Sequence, residues 1–169
     1  MINLEIRARE FATEAHDRVG QARKYTGEPY INHPASVVEL VRGVRHTQEM
    51  LAAAWLHDTV EDCGVDLLEI HCLFGIGVAR LVSMLTDVSK PEEGNRAKRK
   101  AIDRAHTALC SPEAATIKLA DLIDNTRSIV ERDPEFAKVY LSEKRLLLDV
   151  LRHGDKTLWQ EAARIAGCC

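Results

Sequence analysis

The chain has 169 residues, of which 46% are hydrophobic and 29% are charged, a balance that predicts one globular domain over residues 1–169. The formal net charge of −3 argues against the basic field that duplex DNA or RNA requires, so we expect no nucleic-acid partner. Five cysteines without a CxxC pair argue against a disulfide framework and favour a cytoplasmic protein. Apolar runs are too short for a membrane span, and we expect no membrane partner.

Apolar residues spaced three and four apart predict helices along nearly the whole chain. In chain order, the predicted helices cover Leu4–Val19, His33–Val41, Thr47 to about Asp62, Asp66–Cys72, Ile76–Leu85, Asn95–Leu109, Ser111 to about Val130, Asp133 to about Leu151, and Asp155–Ala166. Thr47 is predicted to be an N-cap, and Ser111-Pro112 and Asp133-Pro134 are signals that open helices. No segment alternates as a strand would. The sequence therefore predicts an all-α fold, a compact bundle of about eight to nine helices.

An unusual group of acids follows the apolar run Leu51–Leu56. On a continuous helix, Asp58 and Asp62 share one face, and His57 and Glu61 share another. Three carboxylates beside a buried stretch repel one another and lose solvation, and negative charge is unfavourable at a helix C-terminus. A bound cation would relieve these costs. The alternative is an ordinary solvated helix end.

Two further residues extend this group. Asp121 lies within a strongly apolar predicted helix, and His33 stands before Pro34 at a predicted helix start. Alone, Asp121 is more often exposed or paired, for example with Arg127, and a histidine at a helix start is commonly structural. Together, two imidazoles and two carboxylates suit Mn²⁺, with Fe²⁺, Co²⁺ or Zn²⁺ as alternatives.

The order of His33, the pair His57-Asp58, and Asp121 resembles the HD superfamily of metal-dependent phosphohydrolases. The flanking segments resemble one branch of it, the hydrolase domain of the RelA/SpoT proteins. These segments are Arg23-Lys24, residues 27–34 (GEPYINHP), residues 57–62 (HDTVED) and residues 118–121 (KLAD). The similarity extends from about Ala8 to Leu151, and the chain resembles a small alarmone hydrolase.

This resemblance implies a reaction and a set of site residues. The substrate would be a guanosine nucleotide with a 3′-pyrophosphate, hydrolysed by a metal-activated water to release pyrophosphate. The cofactor would be Mn²⁺, held by His33, His57, Asp58 and Asp121. Glu61 and Asp62 match the family's catalytic acids, one of which would orient or deprotonate the water. The predicted substrate-binding residues are Arg23, Lys24, Asn125, Tyr140, Arg96 and Arg99.

Several alternatives stay open at this point. One extra residue after Arg23 and the sequence Leu122-Ile123 leave guanine or adenine as the base, so both (p)ppGpp and (p)ppApp are candidate substrates. An HD phosphohydrolase acting on other 5′-nucleotides would keep the metal ligands but would not require Arg23 or the acidic pair. A catalytically silent nucleotide-binding protein is the third hypothesis. The sequence does not determine the oligomeric state, and it is compatible with a homo-oligomer.

Overall fold

The computed structural model describes residues 3–167, which form an all-α fold, as predicted. The ten α-helices of these residues are α1 (Leu4–Arg18), α2 (Asn32–Arg42), α3 (Gln48–Leu56), α4 (Thr59–Cys63), α5 (Leu67–Phe74), α6 (Ile76–Leu85), α7 (Arg96–Thr107), α8 (Pro112–Arg132), α9 (Pro134–Val150) and α10 (Lys156–Ile165). The predicted loop before α7 contains a 3₁₀ turn, Pro91–Glu93. An isolated antiparallel bridge joins Ala22 and Pro29.

The predicted caps are confirmed at three helix starts. The side chains of Thr47, Ser111 and Asp133 each accept a hydrogen bond from the backbone N–H three residues later, at distances of 3.1–3.2 Å. These bonds satisfy amides that the first turn of a helix leaves without a backbone partner, so short local sequences define where α3, α8 and α9 begin.

The predicted third helix differs from the structure, because it is interrupted at His57-Asp58 rather than continuing to Asp62. Two side chains form hydrogen bonds with backbone carbonyl oxygens at the end of α3. The Thr59 hydroxyl donates to the Leu56 oxygen at 2.7 Å, and His57 Nδ1 lies 2.8 Å from the Ala54 oxygen. Such side-chain bonds compete with the helical pattern, and they separate α3 from the short α4.

The chain folds as two compact units, divided in sequence after Thr86. In the first unit, α3 packs against α1, α2 and α6. Every residue from Met50 to Leu56 is buried, which explains why this helix is apolar all round. Ala8, Ala12 and Ala15 of α1 are fully buried too, and their small side chains allow close packing. The core of this unit therefore fixes the end of α3, where His57 follows.

In the second unit, α8 packs against α9 and α10, and α7 packs against α9. Most residues of the first half of α8 are buried, including Asp121 at 9% exposure. A single domain over residues 1–169 stays a prediction.

The sequence predicted neither a disulfide framework nor a membrane span. Cys63, Cys72 and Cys110 are free thiols, and Cys168 and Cys169 lie outside the described residues. Within residues 3–167, no helix is both long enough and apolar enough to cross a membrane.

Candidate metal centre and active site

Three side chains of the first unit converge on one carboxylate oxygen. Oδ2 of Asp58 lies 3.1 Å from Nε2 of His57 and 3.6 Å from Nε2 of His33. The two imidazole rings are 5.2 Å apart in an edge-to-face arrangement, and both histidines are almost fully buried. These three residues form a group whose donor atoms all lie within 4.8 Å of one another, as a single metal ion requires.

The break between α3 and α4 aims His57 at this point. Because Nδ1 of His57 faces the Ala54 carbonyl oxygen at 2.8 Å, the proton is assigned to Nδ1. Nε2 then presents a lone pair toward Asp58. A backbone carbonyl behind the ring is a common way to fix a metal-binding histidine, and here it comes from the last turn of α3.

Tyr30 is a site residue that the sequence did not predict. Its hydroxyl donates a 2.6 Å hydrogen bond to Oδ2 of Asp58, the oxygen that both histidines face. Its ring also lies 5.7 Å from the ring of His33. Tyr30 belongs to the PYINHP segment, but a tyrosine before a helix gives no periodic signal that marks a contact 28 residues away. The bond restrains the Asp58 carboxylate while its Oδ2 faces both histidines.

The predicted catalytic acids, Glu61 and Asp62, lie on α4. They occupy its first turn, where negative charge is favourable, so the predicted conflict with a helix C-terminus is wrong for the interrupted helix. Gln21 Nε2 donates to Asp62 Oδ2 at 2.8 Å. Partial desolvation and the charge of Asp58 raise the pKa of Asp62, while the hydrogen bond from Gln21 opposes the rise. Both acids are exposed on α4.

Asp121 lies on the buried face of α8, in the second unit. Its side chain accepts a 2.6 Å hydrogen bond from Asn125 and lies 3.6 Å from the ammonium of Lys118. The predicted pairing of Asp121 and Asn125 on one helix face is therefore present. The metal-binding group found in the first unit contains three residues, and the role of Asp121 as a fourth ligand stays a prediction.

The predicted substrate-binding residues lie in both units. Arg23 and Lys24 belong to a turn that Arg23 closes, its amide donating to Glu28 O and its carbonyl accepting from Gly27 N. Lys24 lies over the ring of Tyr25 at 4.8 Å. These contacts preserve the turn that carries the GEP segment, and the roles of both residues stay predictions.

In the second unit, Tyr140 is buried, and its hydroxyl lies 3.4 Å from the hydroxyl of Thr126. Burial raises its pKa, so the phenol stays protonated. Arg96 makes a bidentate ion pair with Glu143 at 2.7 and 2.8 Å, and a phosphate would have to compete for it. Nε of Arg99 is buried and has no hydrogen-bond partner among residues 3–167. Binding of substrate by these residues stays a prediction.

Two imidazole nitrogens and an acidic oxygen are a donor set that fits a divalent ion. The lone pair on Nε2 of His57 faces an anionic oxygen at 3.1 Å, so two acceptors are in close approach unless a cation, a proton or a metal ion, neutralises them. The Tyr30 hydroxyl supplies one donor to that oxygen. The sequence-predicted residues His33, His57 and Asp58 are thus brought together as a candidate metal centre.

Comparison with known proteins places this centre in a family. A family model described as HD domain matches residues 8–148. The chain belongs to the HD-domain family. The HD domain binds a divalent metal, in keeping with the cluster of His33, His57 and Asp58. Within the family, the chain is similar to small alarmone hydrolases and to the hydrolase domain of the RelA/SpoT proteins.

Individual relatives share these features. The chain is 36% identical over 127 residues to the guanosine-3′,5′-bis(diphosphate) 3′-pyrophosphohydrolase MESH1 of Danio rerio, covering 74% of this chain and 68% of that protein. It is 35% identical over 124 residues to a probable enzyme of the same name from Synechocystis, of which it spans only 16%. A solved structure of a metazoan SpoT ortholog that hydrolyses ppGpp matches with a TM-score of 0.85 and 28% identity, over 96% of this chain and 93% of that one.

Proposed function

We propose that this HD-domain protein hydrolyses the 3′-pyrophosphate of guanosine alarmones, (p)ppGpp, and releases pyrophosphate. The convergence of His33, His57 and Asp58 on one oxygen, with the acids of α4 following it, carries this proposal. The relatives named above give the substrate class. The cytoplasm, where the free cysteines would stay reduced, is the proposed location.

The proposed cofactor is Mn²⁺. His33, His57 and Asp58 would hold it, with Asp121 as a fourth ligand. A divalent ion of this kind supplies Lewis acidity that polarises a phosphoryl oxygen and makes water acidic enough to act as a nucleophile near neutral pH. The Tyr30 hydroxyl would keep Asp58 oriented for this role, and the Ala54 carbonyl would keep Nε2 of His57 free of a proton and available to the ion.

Glu61 and Asp62 are the proposed proton acceptors. Both are exposed on α4, one turn beyond Asp58, and a carboxylate there can orient an attacking water and take its proton. Desolvation, with a smaller contribution from the charge of Asp58, raises the pKa of Asp62 above that of an ordinary carboxyl, which makes it a stronger base for this step. The water oxygen would become part of the released pyrophosphate, and the 3′ oxygen of the ribose would take up a proton as its bond to phosphorus breaks.

Recognition of the nucleotide is the role proposed for the polar residues outside the metal centre. The planar guanidinium of Arg23 can stack on a purine base, and Lys24 beside it can contact base or phosphate. Asn125 and Tyr140 would face the nucleoside, and Arg96 and Arg99 the 5′-phosphates. Because stacking does not distinguish purines, (p)ppApp is tested alongside (p)ppGpp.

A panel of nucleotides tests this function. The purified protein is incubated with Mn²⁺, Mg²⁺ or Zn²⁺ and with guanosine or adenosine 3′-pyrophosphates, nucleoside triphosphates or 5′-monophosphates. We expect pyrophosphate release only from the 3′-pyrophosphates and highest rates with Mn²⁺. Activity confined to 5′-phosphates would place the chain among other HD phosphohydrolases, and binding without turnover would make it a silent nucleotide-binding protein.

A pair of aspartate variants completes the test. Asp58→Asn keeps the size of the side chain but removes the charge at the centre, and it should abolish turnover. Asp17→Asn makes the same change at an exposed position of α1, in the same unit, and should leave turnover as in the wild type. Equal activity of the two variants would show that the catalytic centre lies elsewhere.

A further inference from the structure

A hydrogen-bonded chain leads from Asp62 into the interior of the first unit. Gln21 Nε2 donates to Asp62 Oδ2 at 2.8 Å, and Gln21 Oε1 lies 2.7 Å from Nδ1 of His16. His16 is 1% exposed, whereas Asp62 is exposed. The chain thus connects a surface acid of the proposed active site to a buried imidazole on α1.

The directions of these bonds are fixed by chemistry. An ionised carboxylate only accepts hydrogen bonds, so the amide nitrogen of Gln21 must face Asp62. The amide oxygen then faces His16, and Nδ1 of that ring must carry a proton to donate to it. With this orientation of the Gln21 amide and a proton on Nδ1 of His16, each N–H group along the chain faces one oxygen acceptor.

The backbone around Gln21 is held on both sides. Its amide donates to the carbonyl of His16 at 3.1 Å, and its carbonyl accepts from the amide of Tyr30 at 3.3 Å. The ring of Tyr30 also lies 4.7 Å from the ring of His16. The side chain of Gln21 therefore extends from a fixed position, which is the condition for orienting another group.

The environment of His16 indicates why an imidazole stands there. Its Nε2 is buried and has no hydrogen-bond partner in the described part of the chain, which is unfavourable compared with an apolar side chain. Its Nδ1 is the nitrogen with contacts: besides Gln21, the thiol of Cys63 lies 3.2 Å away. Burial and nearby Asp62 raise the pKa of Cys63 to about 11, so it is a neutral thiol and a weak acceptor. The strong bond is the one to Gln21.

We propose that Gln21, oriented by His16, positions the carboxylate of Asp62 for its role in the hydrolysis. Rotation of an aspartate carboxylate about its terminal bond is broad, and a donor fixed on one oxygen restricts it. Gln21 and His16 act through Asp62 and are positioning residues. This inference rests on the proposed function and adds two residues to it.

Variants of Gln21 separate positioning from folding. Gln21→Met keeps the length of the side chain without polar atoms, and Gln21→Glu keeps an acceptor for His16 but places a carboxylate against Asp62. Both should lower kcat by about 10- to 100-fold, the effect of misplacing a reacting group. The KM and the affinity for Mn²⁺ should stay within twofold of the wild type. A kcat equal to that of the wild type in both variants would overturn the proposal.

Two variants of His16 provide a rescue test. The Nδ2 of asparagine lies about where Nδ1 of histidine lies, so His16→Asn retains the donor to Gln21. His16→Leu removes the donor and fills the buried space. We expect kcat near the wild-type value for His16→Asn and about a tenfold loss for His16→Leu. A purely structural role predicts the opposite order, because leucine is the better buried residue.

A double-mutant cycle tests the route through Asp62. If Gln21 acts by positioning that carboxylate, Gln21→Met should cause no further loss in kcat, within twofold, once Asp62→Asn is present. The same fold-loss in both backgrounds would contradict the proposal. Turnover of the slow variants is measured with enzyme in excess over the guanosine 3′-pyrophosphate.

A measurement without turnover distinguishes failure of this inference from failure of the proposed function. In ¹H–¹⁵N spectra, one side-chain amide proton of Gln21 should be shifted downfield by the Asp62 carboxylate, and Asp62→Ala should return it to the position of the exposed Gln48. If the wild type releases no pyrophosphate but this shift is present, the proposed function fails and the hydrogen-bonded chain remains. If pyrophosphate is released but the shift is absent, the inference fails alone.

Discussion

Replacing Tyr30 by phenylalanine would remove one hydroxyl from the metal centre and leave the ring contacts in place. The lost interaction is the 2.6 Å hydrogen bond to Oδ2 of Asp58. Hydrogen bonds to charged groups contribute about 1.5–3 kcal/mol to stability. The Asp58 side chain is 19% exposed, so partial solvent screening favours the lower part of this range. We expect the free energy of unfolding without metal to fall by about 1.5 kcal/mol.

The same change should weaken metal binding. Groups that orient a metal ligand typically contribute 10- to 100-fold to affinity, which corresponds to about 1.4–2.7 kcal/mol. This range overlaps the estimate from the hydrogen bond itself, because both describe the cost of leaving Asp58 unrestrained. The dissociation constant for Mn²⁺ should therefore rise at least about tenfold. Turnover at low Mn²⁺ should fall in parallel and recover when Mn²⁺ is raised.

Calorimetric titration with Mn²⁺ and urea unfolding measure the two effects. Tyr25→Phe is the matched control. It also removes a tyrosine hydroxyl in the first unit, and that hydroxyl accepts a hydrogen bond from Lys24. Its Mn²⁺ affinity should stay within twofold of the wild type. If Tyr30→Phe also binds Mn²⁺ within twofold and unfolds at the wild-type urea concentration, the Tyr30 hydroxyl does not support the metal centre, and the orienting role of its hydrogen bond to Asp58 is refuted.

Three further predictions concern other residues. Asp121→Ala should abolish both Mn²⁺ binding and turnover if Asp121 is the fourth ligand; wild-type Mn²⁺ affinity in this variant would refute that assignment. Glu61→Gln should bind Mn²⁺ normally but turn over slowly, and loss of the metal would count against a catalytic role. Burial and the neighbouring Lys118 lower the pKa of Lys144 to about 8, so its charge disfavours the folded state at neutral pH. Between about pH 8 and 10.5 the folded state loses this proton while the unfolded state keeps it, and stability from this group should rise with pH. Lys144→Met should therefore raise the free energy of unfolding at pH 7 by roughly 1–3 kcal/mol, with the gain shrinking toward pH 10.5, whereas exposed Lys138→Met should change it by less than about 0.5 kcal/mol. Chemical denaturation of both variants at several pH values measures these changes. A lower free energy of unfolding for Lys144→Met than for the wild type at pH 7 would show that the charge of Lys144 does not disfavour the folded state.

Helices and their starts were determined by the sequence itself. Apolar residues three and four apart place one stripe on a helix face, and a Thr, Ser or Asp before it caps the first turn. Both signals act within a few residues, so the caps Thr47, Ser111 and Asp133 could be predicted without knowing the fold. The pair His57-Asp58 was also identifiable, because it follows a buried apolar run. His33 was identified by its order along the chain relative to this pair and Asp121, which resembles the HD superfamily.

Only the tertiary structure decided how these residues act together. The break after Leu56 depends on side chains that bond to the last carbonyls of α3, and helical periodicity continues through it without a signal. Tyr30 reaches Asp58 across 28 residues, and Gln21 reaches Asp62 across 41. Such contacts depend on how α1, α2 and α4 pack around α3, and hydrogen bonds between distant residues leave no periodic trace in the sequence. The amino-acid pattern therefore predicted the ligands, whereas packing selected the neighbours that orient them.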